Sequence, residues 1–369
     1  FQAKRERQNR PSIDYRFKQK TLPYSTSICD RPLFSPKYLL MFDRIYIEAA
    51  VREHPRTLTL IEHYPKAERI HCERYGEIFN PNRQNFRIQK QNPALILAEK
   101  PGTRVLPTPP GYGLGADRHY YFSHMLNCLY DCRYCFLQGM YQSANYILFV
   151  NFEDFQADIR ATAENQPDQQ HFFFSGYDCD SLAMDGVTGF ADSFLPVFEN
   201  LPNAWLELRT KSVNIKPLLS RTPHPNVVAA FSLNPEPIAK SVEHRAPPLP
   251  ARINALRKLA EAGWKVGLRF DPLIHFENCV KIYQDFIDHV FDSIPEEAIH
   301  SITLGSFRSP KNVFKKMESL HPEEPLFMGN LELQNGMVSY NKPIETELFE
   351  SAKERILSHA SEDCFFPCQ

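Results

Sequence analysis

The chain has 369 residues, 43% of them apolar, a formal net charge of −2 and nine cysteines. This is enough apolar material for one large core or two domains, while the near-neutral charge gives no global pull toward nucleic acid and leaves any such binding to a local basic surface. With no run of about 18 apolar residues and no apolar stretch of a secretory signal near the amino terminus, the sequence predicts a protein without a membrane span, in a reducing, cytoplasmic setting.

In chain order, Lys4, Arg5, Arg7, Arg10, Arg16, Lys18 and Lys20 crowd a stretch with little apolar content. Residues 1–30 are therefore expected to form a flexible basic arm, either a solvated tail or a phosphate-contacting one. An accessory region is expected over residues 31–110, with candidate strands at Asp43–Glu48 and Ala94–Ala98. The run Pro109-Pro-Gly111-Tyr-Gly113-Leu-Gly115 lacks the Lys-Ser/Thr of a phosphate-binding loop and reads as a turn, followed by a short strand at His119–Phe122.

Cys128, Cys132 and Cys135 come next, spaced C-x3-C-x2-C. A structural zinc site wants four ligands, commonly in two pairs, and no second pair is placed to complete one. Three cysteines this close cannot pair off among themselves, and Cys29, Cys72, Cys179, Cys279, Cys364 and Cys368 are scattered, so a disulfide framework is disfavoured. The C-x3-C at Cys364 and Cys368 offers two ligands, too few for a cluster of its own. A cuboidal [4Fe-4S] cluster has four irons, so three thiolates leave one iron open to a small molecule. In this the motif resembles the radical S-adenosylmethionine (SAM) enzymes. The resemblance implies that SAM chelates the open iron, that one electron cleaves its sulfonium to a 5′-deoxyadenosyl radical, and that Tyr134, directly before the third cysteine, lies against the adenine.

Beyond the loop, strand and helix signals alternate. Asn151 is a candidate cap for a helix with Phe152, Phe155 and Ile159 on one face, followed by strands at His171–Ser175, Trp205–Thr210, Val227–Ser232, Lys265–Asp271 and Ser301–Leu304. Ile253, Leu256, Leu259 and Ala260 repeat at helical spacing before Gly263, and Tyr283, Phe286, Ile287, Val290 and Phe291 form a second helical stripe. With the strand before the cysteines this makes six, and the expected fold is α/β: a TIM-like partial (β/α)6 barrel over residues 111–310, with a carboxyl-terminal segment, 311–369, packed on it. Chemistry in such barrels gathers at the carboxyl ends of the strands. There the sequence offers Tyr177, Cys179 and Asp180 after the second strand, Lys211 after the third, Ser232 and Asn234 after the fourth, and Arg269 and Asp271 after the fifth. A lysine suits SAM's carboxylate, while hydroxyl, amide and carboxylate groups suit its ribose and amino group.

The block from Cys128 to Gln138, Ala144–Asn151, Thr210-Lys211, Phe231–Asn234 and Ala262–Gly267 together resemble the spore photoproduct lyase family of radical SAM DNA repair enzymes, with a weaker echo at Phe365-Phe-Pro367. The resemblance implies Cys128, Cys132 and Cys135 as cluster ligands and Tyr134, Asp180, Lys211, Ser232 and Asn234 around SAM. It implies reversal of 5-thyminyl-5,6-dihydrothymine in DNA, with an electron donor such as flavodoxin or ferredoxin as a further partner. It also implies a thiol on the loop after the second strand, and a tyrosine after the third cluster cysteine, to quench the final radical. This sequence departs there: Tyr177 stands at the thiol position and Phe136 at the tyrosine position, with Cys179 two residues on as the replacement candidate. Phe136, Arg269, Asp271 and Arg308 are the candidate substrate contacts, with Arg245 and the basic arm as further phosphate contacts. Two alternatives stay open: the same scaffold acting on a modified base, nucleoside or peptide, and a non-catalytic iron-sulfur protein that binds nucleic acid or senses redox state. Nothing in the sequence indicates an oligomeric state.

Overall fold

The computed structural model describes residues 42–82, 84–109 and 111–368. The expected basic arm and Cys29 lie outside these residues. Within them two parallel sheets dominate. The first has strands in the order Glu68–Cys72, Arg44–Glu48, Leu95–Ala98, Tyr146–Phe149 and Met125–Leu126, all parallel except the last. Leu95–Ala98 and Tyr146–Phe149 are buried at every position, the unbroken apolar pattern of a parallel strand covered on both faces. The accessory region thus reaches beyond 31–110, because Tyr146–Phe149 enters its sheet from the far side of the cysteine loop. Both sheets belong to one compact unit, residues 40–369.

The second sheet is the barrel. Its parallel strands are β1 Arg118–Phe122, β2 His171–Ser175, β3 Ala204–Thr210, β4 Val227–Ser232, β5 Lys265–Leu273, β6 Ile299–Ser306 and β7 Phe365–Pro367, neighbours in that order. Val105–Pro107 adds an antiparallel edge to β1. The six expected strands are all present, and the carboxyl-terminal segment supplies a seventh. Curling of the sheet is visible in its interior, where Leu114, Phe172 of β2 and Val228 of β4 form one cluster against Phe366 of β7. The three predicted helices form, Phe152–Glu164, Leu249–Glu261 and Cys279–Asp292, and Gly263 takes the left-handed conformation (φ 91°) that ends the second. No helix among the described residues is long and apolar enough to cross a membrane.

Halfway up the barrel the interior is ionic. Glu207 of β3 and Arg269 of β5, 0% and 1% exposed, pair at 2.7 Å. Arg269 also donates to the Ser301 carbonyl and hydroxyl, both at 2.9 Å, and Arg209 holds the other Glu207 oxygen at 2.9 Å. These cations outweigh the effect of burial and keep the Glu207 carboxyl low, at about 2. Arg269 was expected at the rim as a substrate contact; instead its side chain folds down over Gly267, and the strand end carries only its backbone. Gly267 makes this possible, since a Cβ there would stand 2.6 Å from Arg269 Nη2. Gly267→Ala should therefore push the guanidinium off Glu207 and cost on the order of 3 kcal/mol, as for breaking a buried ion pair. Denaturant unfolding measures this, and an unchanged midpoint would refute the packing argument.

Candidate active site

The cysteine loop leaves β1 and is closed by Asn127. That residue adopts a left-handed conformation (φ 69°), which asparagine tolerates better than most, and its Nδ2 donates to the carbonyls of Ser143 (2.8 Å) and Asn145 (2.7 Å). The start of the loop is thus tied to its return. Midway, Asp131-Cys132 forms a short antiparallel bridge with Glu243-His244. Asp131 is gripped by Lys90 (3.1 Å), Arg133 (3.2 Å) and Gln138 (2.8 Å). Burial opposes its ionisation, but the two cations hold its carboxyl below the usual carboxylate range.

Cys128, Cys132 and Cys135 all line one cavity of about 560 Å³ at the mouth of the barrel. All eight cysteines among the described residues are free thiols. Burial pushes the Cys132 thiol up to about 12, with Lys211 pulling the other way, and raises Cys128 and Cys135 as well, so taking up a metal centre here releases protons. Among the described residues no three His, Cys, Asp or Glu groups are gathered tightly enough for a single ion.

Across the cavity stands Lys211, with no carboxylate at ion-pair distance among the described residues and its Nζ 5.5 Å from the centre of the Tyr134 ring. Burial disfavours its charge, but Cys132 and Glu243 nearby raise its pKa above the usual lysine value, so it is an ammonium awaiting an anion. An unpaired, half-buried cation beside three thiols open to one space suits a cluster carrying an amino acid carboxylate. Ser232 also lines this space.

Two expected cofactor contacts are used differently. Asp180 lines the cavity, but its carboxylate already accepts from Thr210 Oγ1 (2.7 Å) and the amides of Lys211 (2.6 Å), Leu182 (3.0 Å) and Ala183 (2.9 Å). It clamps the β2 loop to the end of β3 and so positions Lys211. Asn234 lies outside the cavity lining, 1% exposed, donating to Glu243 at 3.2 Å and accepting from Tyr283 at 3.2 Å. Both ends of its amide are spent on the scaffold.

Glu243 is the residue that sequence reasoning missed. Its fully buried carboxylate accepts from the Tyr134 hydroxyl and pairs with Arg252 of the Leu249–Glu261 helix. A charged tripeptide, Glu243-His244-Arg245, between helices reads as solvated loop, and only its pairing with the cysteine loop reveals it. Burial raises the Glu243 carboxyl, yet Lys211 and Arg252 win and hold it below the usual glutamate value. Its folded pKa being depressed, the network stabilises the fold above the ordinary glutamate range and is lost as pH falls through the folded value. Glu243→Ala should leave Arg252 buried and unpaired, at a cost of roughly 3–5 kcal/mol. It should also flatten the acid limb of the stability curve. Equilibrium unfolding across pH tests both, and a wild-type profile in the variant would refute the network.

The radical-quenching candidates sit on the β2 side. Tyr177 lines the cavity and packs against Tyr121, ring centres 4.4 Å apart, and against Phe136 at 5.6 Å. Cys179 also lines the cavity but is 8% exposed and belongs to the apolar core. Burial, then the Asp180 and Asp178 carboxylates, push its pKa well up and keep it an S–H group. Asp271 and Arg308 face the same cavity on the β5–β6 side.

Comparison with known proteins follows this geometry. A family model described as Spore photoproduct lyase matches residues 118–342. The chain is 27% identical over 248 residues to the spore photoproduct lyase of Bacillus subtilis (strain 168), covering 65% of this chain and 71% of that one. It is 21% identical over 211 residues to the enzyme of that name from Clostridium acetobutylicum, covering 57% and 62%. Among solved structures it is similar to a spore photoproduct lyase variant with bound AdoMet and dinucleoside spore photoproduct, with a TM-score of 0.77 and 17% identity over 89% of this chain and 98% of that one. The fold is therefore the radical SAM partial barrel, and the chain, matched by the family model over more than half its length, belongs to the spore photoproduct lyase family.

Proposed function

We propose that this chain cleaves SAM reductively and uses the radical to reverse the thymine-dimer lesion 5-thyminyl-5,6-dihydrothymine in DNA. The observation that carries the reading is the convergence of Cys128, Cys132, Cys135 and the unpaired Lys211 ammonium on one cavity, in a chain of this family. When bound, a [4Fe-4S] cluster on these thiolates supplies the electron that breaks the SAM sulfonium. The protein's own groups do the rest. Lys211 holds the SAM carboxylate, and Asp180 fixes the backbone from which Lys211 extends. Tyr134 supplies a ring against the adenine, with its orientation set by Glu243, and Ser232 offers a hydroxyl. Aromatic rings, those of Tyr121, Phe136 and Tyr177 among them, form part of the cavity wall and give the radical apolar neighbours. An open cavity at a barrel mouth suits a lesion turned out of the duplex, and the solved relatives hold dinucleoside spore photoproduct. A flavodoxin or ferredoxin is the proposed electron source, in a reducing, cytoplasmic setting that the cluster and the free thiols favour.

Tyr177 and Phe136, at the positions where the family's donor pair is expected, favour a second reading in which the same radical acts on another base or nucleoside. Anaerobic, reconstituted protein with SAM and dithionite should convert a synthetic dinucleotide photoproduct to two thymines and release 5′-deoxyadenosine. Release without repair would sink the lesion assignment and leave the second reading; no release at all would point to a non-catalytic sensor. Cys132→Ala should lose both the visible absorption of the cluster and SAM cleavage, and retained absorption would contradict the ligand assignment. Lys211→Met should raise KM for SAM about 10- to 100-fold, the equivalent of roughly 1.5–3 kcal/mol for a charged hydrogen bond. An unchanged KM would remove Lys211 from the SAM site.

A further inference from the structure

The cavity has a polar end that the SAM reading does not use, built on the ends of β5, β6 and β7. Phe366 of β7 points into the barrel, and Cys368, two residues on, shares that face and lines the cavity. Its backbone N–H donates to Leu304 at 2.8 Å, continuing the β6–β7 ladder and fixing its position. Opposite lies Gly305, and a Cβ on that glycine would stand 3.1 Å from Cys368 Cβ, 3.1 Å from Asp271 Oδ1 and 2.9 Å from Arg308 Nη1. The missing side chain thus lets three reactive or charged side chains come together over the β6 backbone. One extra residue on β5 between Phe270 and Leu273 breaks the β5–β6 register beside Asp271. A second observation points to a ligand here. Thr303 Oγ1 lines the same cavity, is on a residue only 3% exposed, and has no hydrogen-bond partner. A buried hydroxyl left unpaired is costly unless an incoming polar atom satisfies it. Arg308 donates from Nη1 to the Ser306 carbonyl at 3.1 Å, while its Nη2 is 3.3 Å from the Tyr112 hydroxyl and Asp271 lies 3.9 Å away, so it is not committed to a carboxylate at close range. A guanidinium, a carboxylate and a hydroxyl together match the carbonyl–NH–carbonyl edge of a pyrimidine.

We propose that this polar end seats a pyrimidine ring of the substrate through Asp271, Thr303 and Arg308, and that Cys368 donates the hydrogen atom that quenches the substrate radical. The proposal rests on the lesion-repair reading above. Once the methylene bridge has broken, the Cys368 S–H bond breaks and a C–H bond forms on the carbon radical, which is reduced to the thymine methyl while sulfur becomes a thiyl radical. One electron from the low-potential donor that serves the cluster, with a proton from solvent, restores the thiol. Burial, then the Asp271 carboxylate, raise the Cys368 pKa and keep the hydrogen on sulfur. Cys179 is less suited, because it is packed in the apolar core on the β2 side.

The test is repair of the dinucleotide photoproduct in D2O, where the exchangeable thiol carries deuterium. Wild type should place one deuterium in the thymine methyl. Cys368→Ser should release 5′-deoxyadenosine yet lose at least ten-fold in deuterated thymine, whereas thymine from Cys179→Ala should still carry the label. Full deuterated yield from Cys368→Ser, or loss of the label only in Cys179→Ala, overturns the proposal. Failure of wild type to make thymine at all overturns the lesion reading and this proposal with it, a result distinct from a defect confined to the variant. A readout independent of turnover uses the wild-type holoenzyme: alkylation of Cys368 by iodoacetamide, followed by mass spectrometry, should slow at least ten-fold when the dinucleotide photoproduct is bound without reductant. Equal labelling with and without it overturns the placement of substrate beside this thiol.

Discussion

The cysteine loop stays over the barrel mouth because one buried carboxylate, that of Glu243, serves partners from three parts of the chain: Tyr134 in the loop, Asn234 beyond β4 and Arg252 in the following helix. The backbone of the same residue pairs with Cys132. A carboxylate buried this deeply is tolerable only with its charge compensated and its lone pairs filled, and both conditions are met by groups that also shape the site. The position of the metal-binding loop is thereby coupled to the core packing of the barrel. Lys90 and Arg133 on Asp131 brace the loop from its other side.

Charge in the barrel is distributed by the same logic. Glu207 is matched to Arg269 and Arg209 below the cavity, and Glu243 to Arg252 beside it, so these two buried glutamates are already neutralised. Lys211 is left with aromatic and thiol neighbours and no acid at pairing distance among the described residues. Thiolates and an anionic ligand are what would balance it, which is why that cation marks the cofactor side of the cavity. The opposite side, with Asp271 and Arg308 3.9 Å apart and only loosely joined, keeps both a donor and an acceptor available for a neutral polar ring.

Much of this was legible in the sequence where the signal is local. Strands such as β2 and β4 stand out because they are nearly continuous apolar runs ending in a polar residue. The cysteine spacing and Gly263 carry their own geometry. What failed needed knowledge of neighbours. β7 is three residues long, too short to read as a strand until β6 pairs with it. Arg269 does face the barrel interior, but whether a long side chain reaches up to the rim or folds down to Glu207 depends on the missing side chain at Gly267. Asp180 offers the right chemistry at the right strand end, yet four local donors consume it first. Cys368 reads in sequence only as one of two cysteines too few for a cluster, because its place at the cavity depends on the pairing of β7 with β6.

Where this chain departs from its family, the departures belong together. Tyr177 stands where the family's donor thiol is expected, and its ring stacks on Tyr121 at 4.4 Å while Phe136 closes from the loop at 5.6 Å. Three aromatic rings fill volume on the β2 side that a small thiol would leave open, and close-packed rings do not yield that volume cheaply. On the proposed reading a substrate ring entering the same cavity is displaced toward β5–β7, where Asp271, Arg308 and Cys368 gather over Gly305 and Thr303 lacks a partner. A hydrogen donor on the β2 loop would then face the wrong edge of the substrate, and the thiol that serves the displaced ring has to come from the far wall. Cys368 is the cavity-lining thiol on that wall. On the proposed reading, Tyr177 at the expected donor position and the thiol on the far wall are two consequences of a single shift in where the substrate sits.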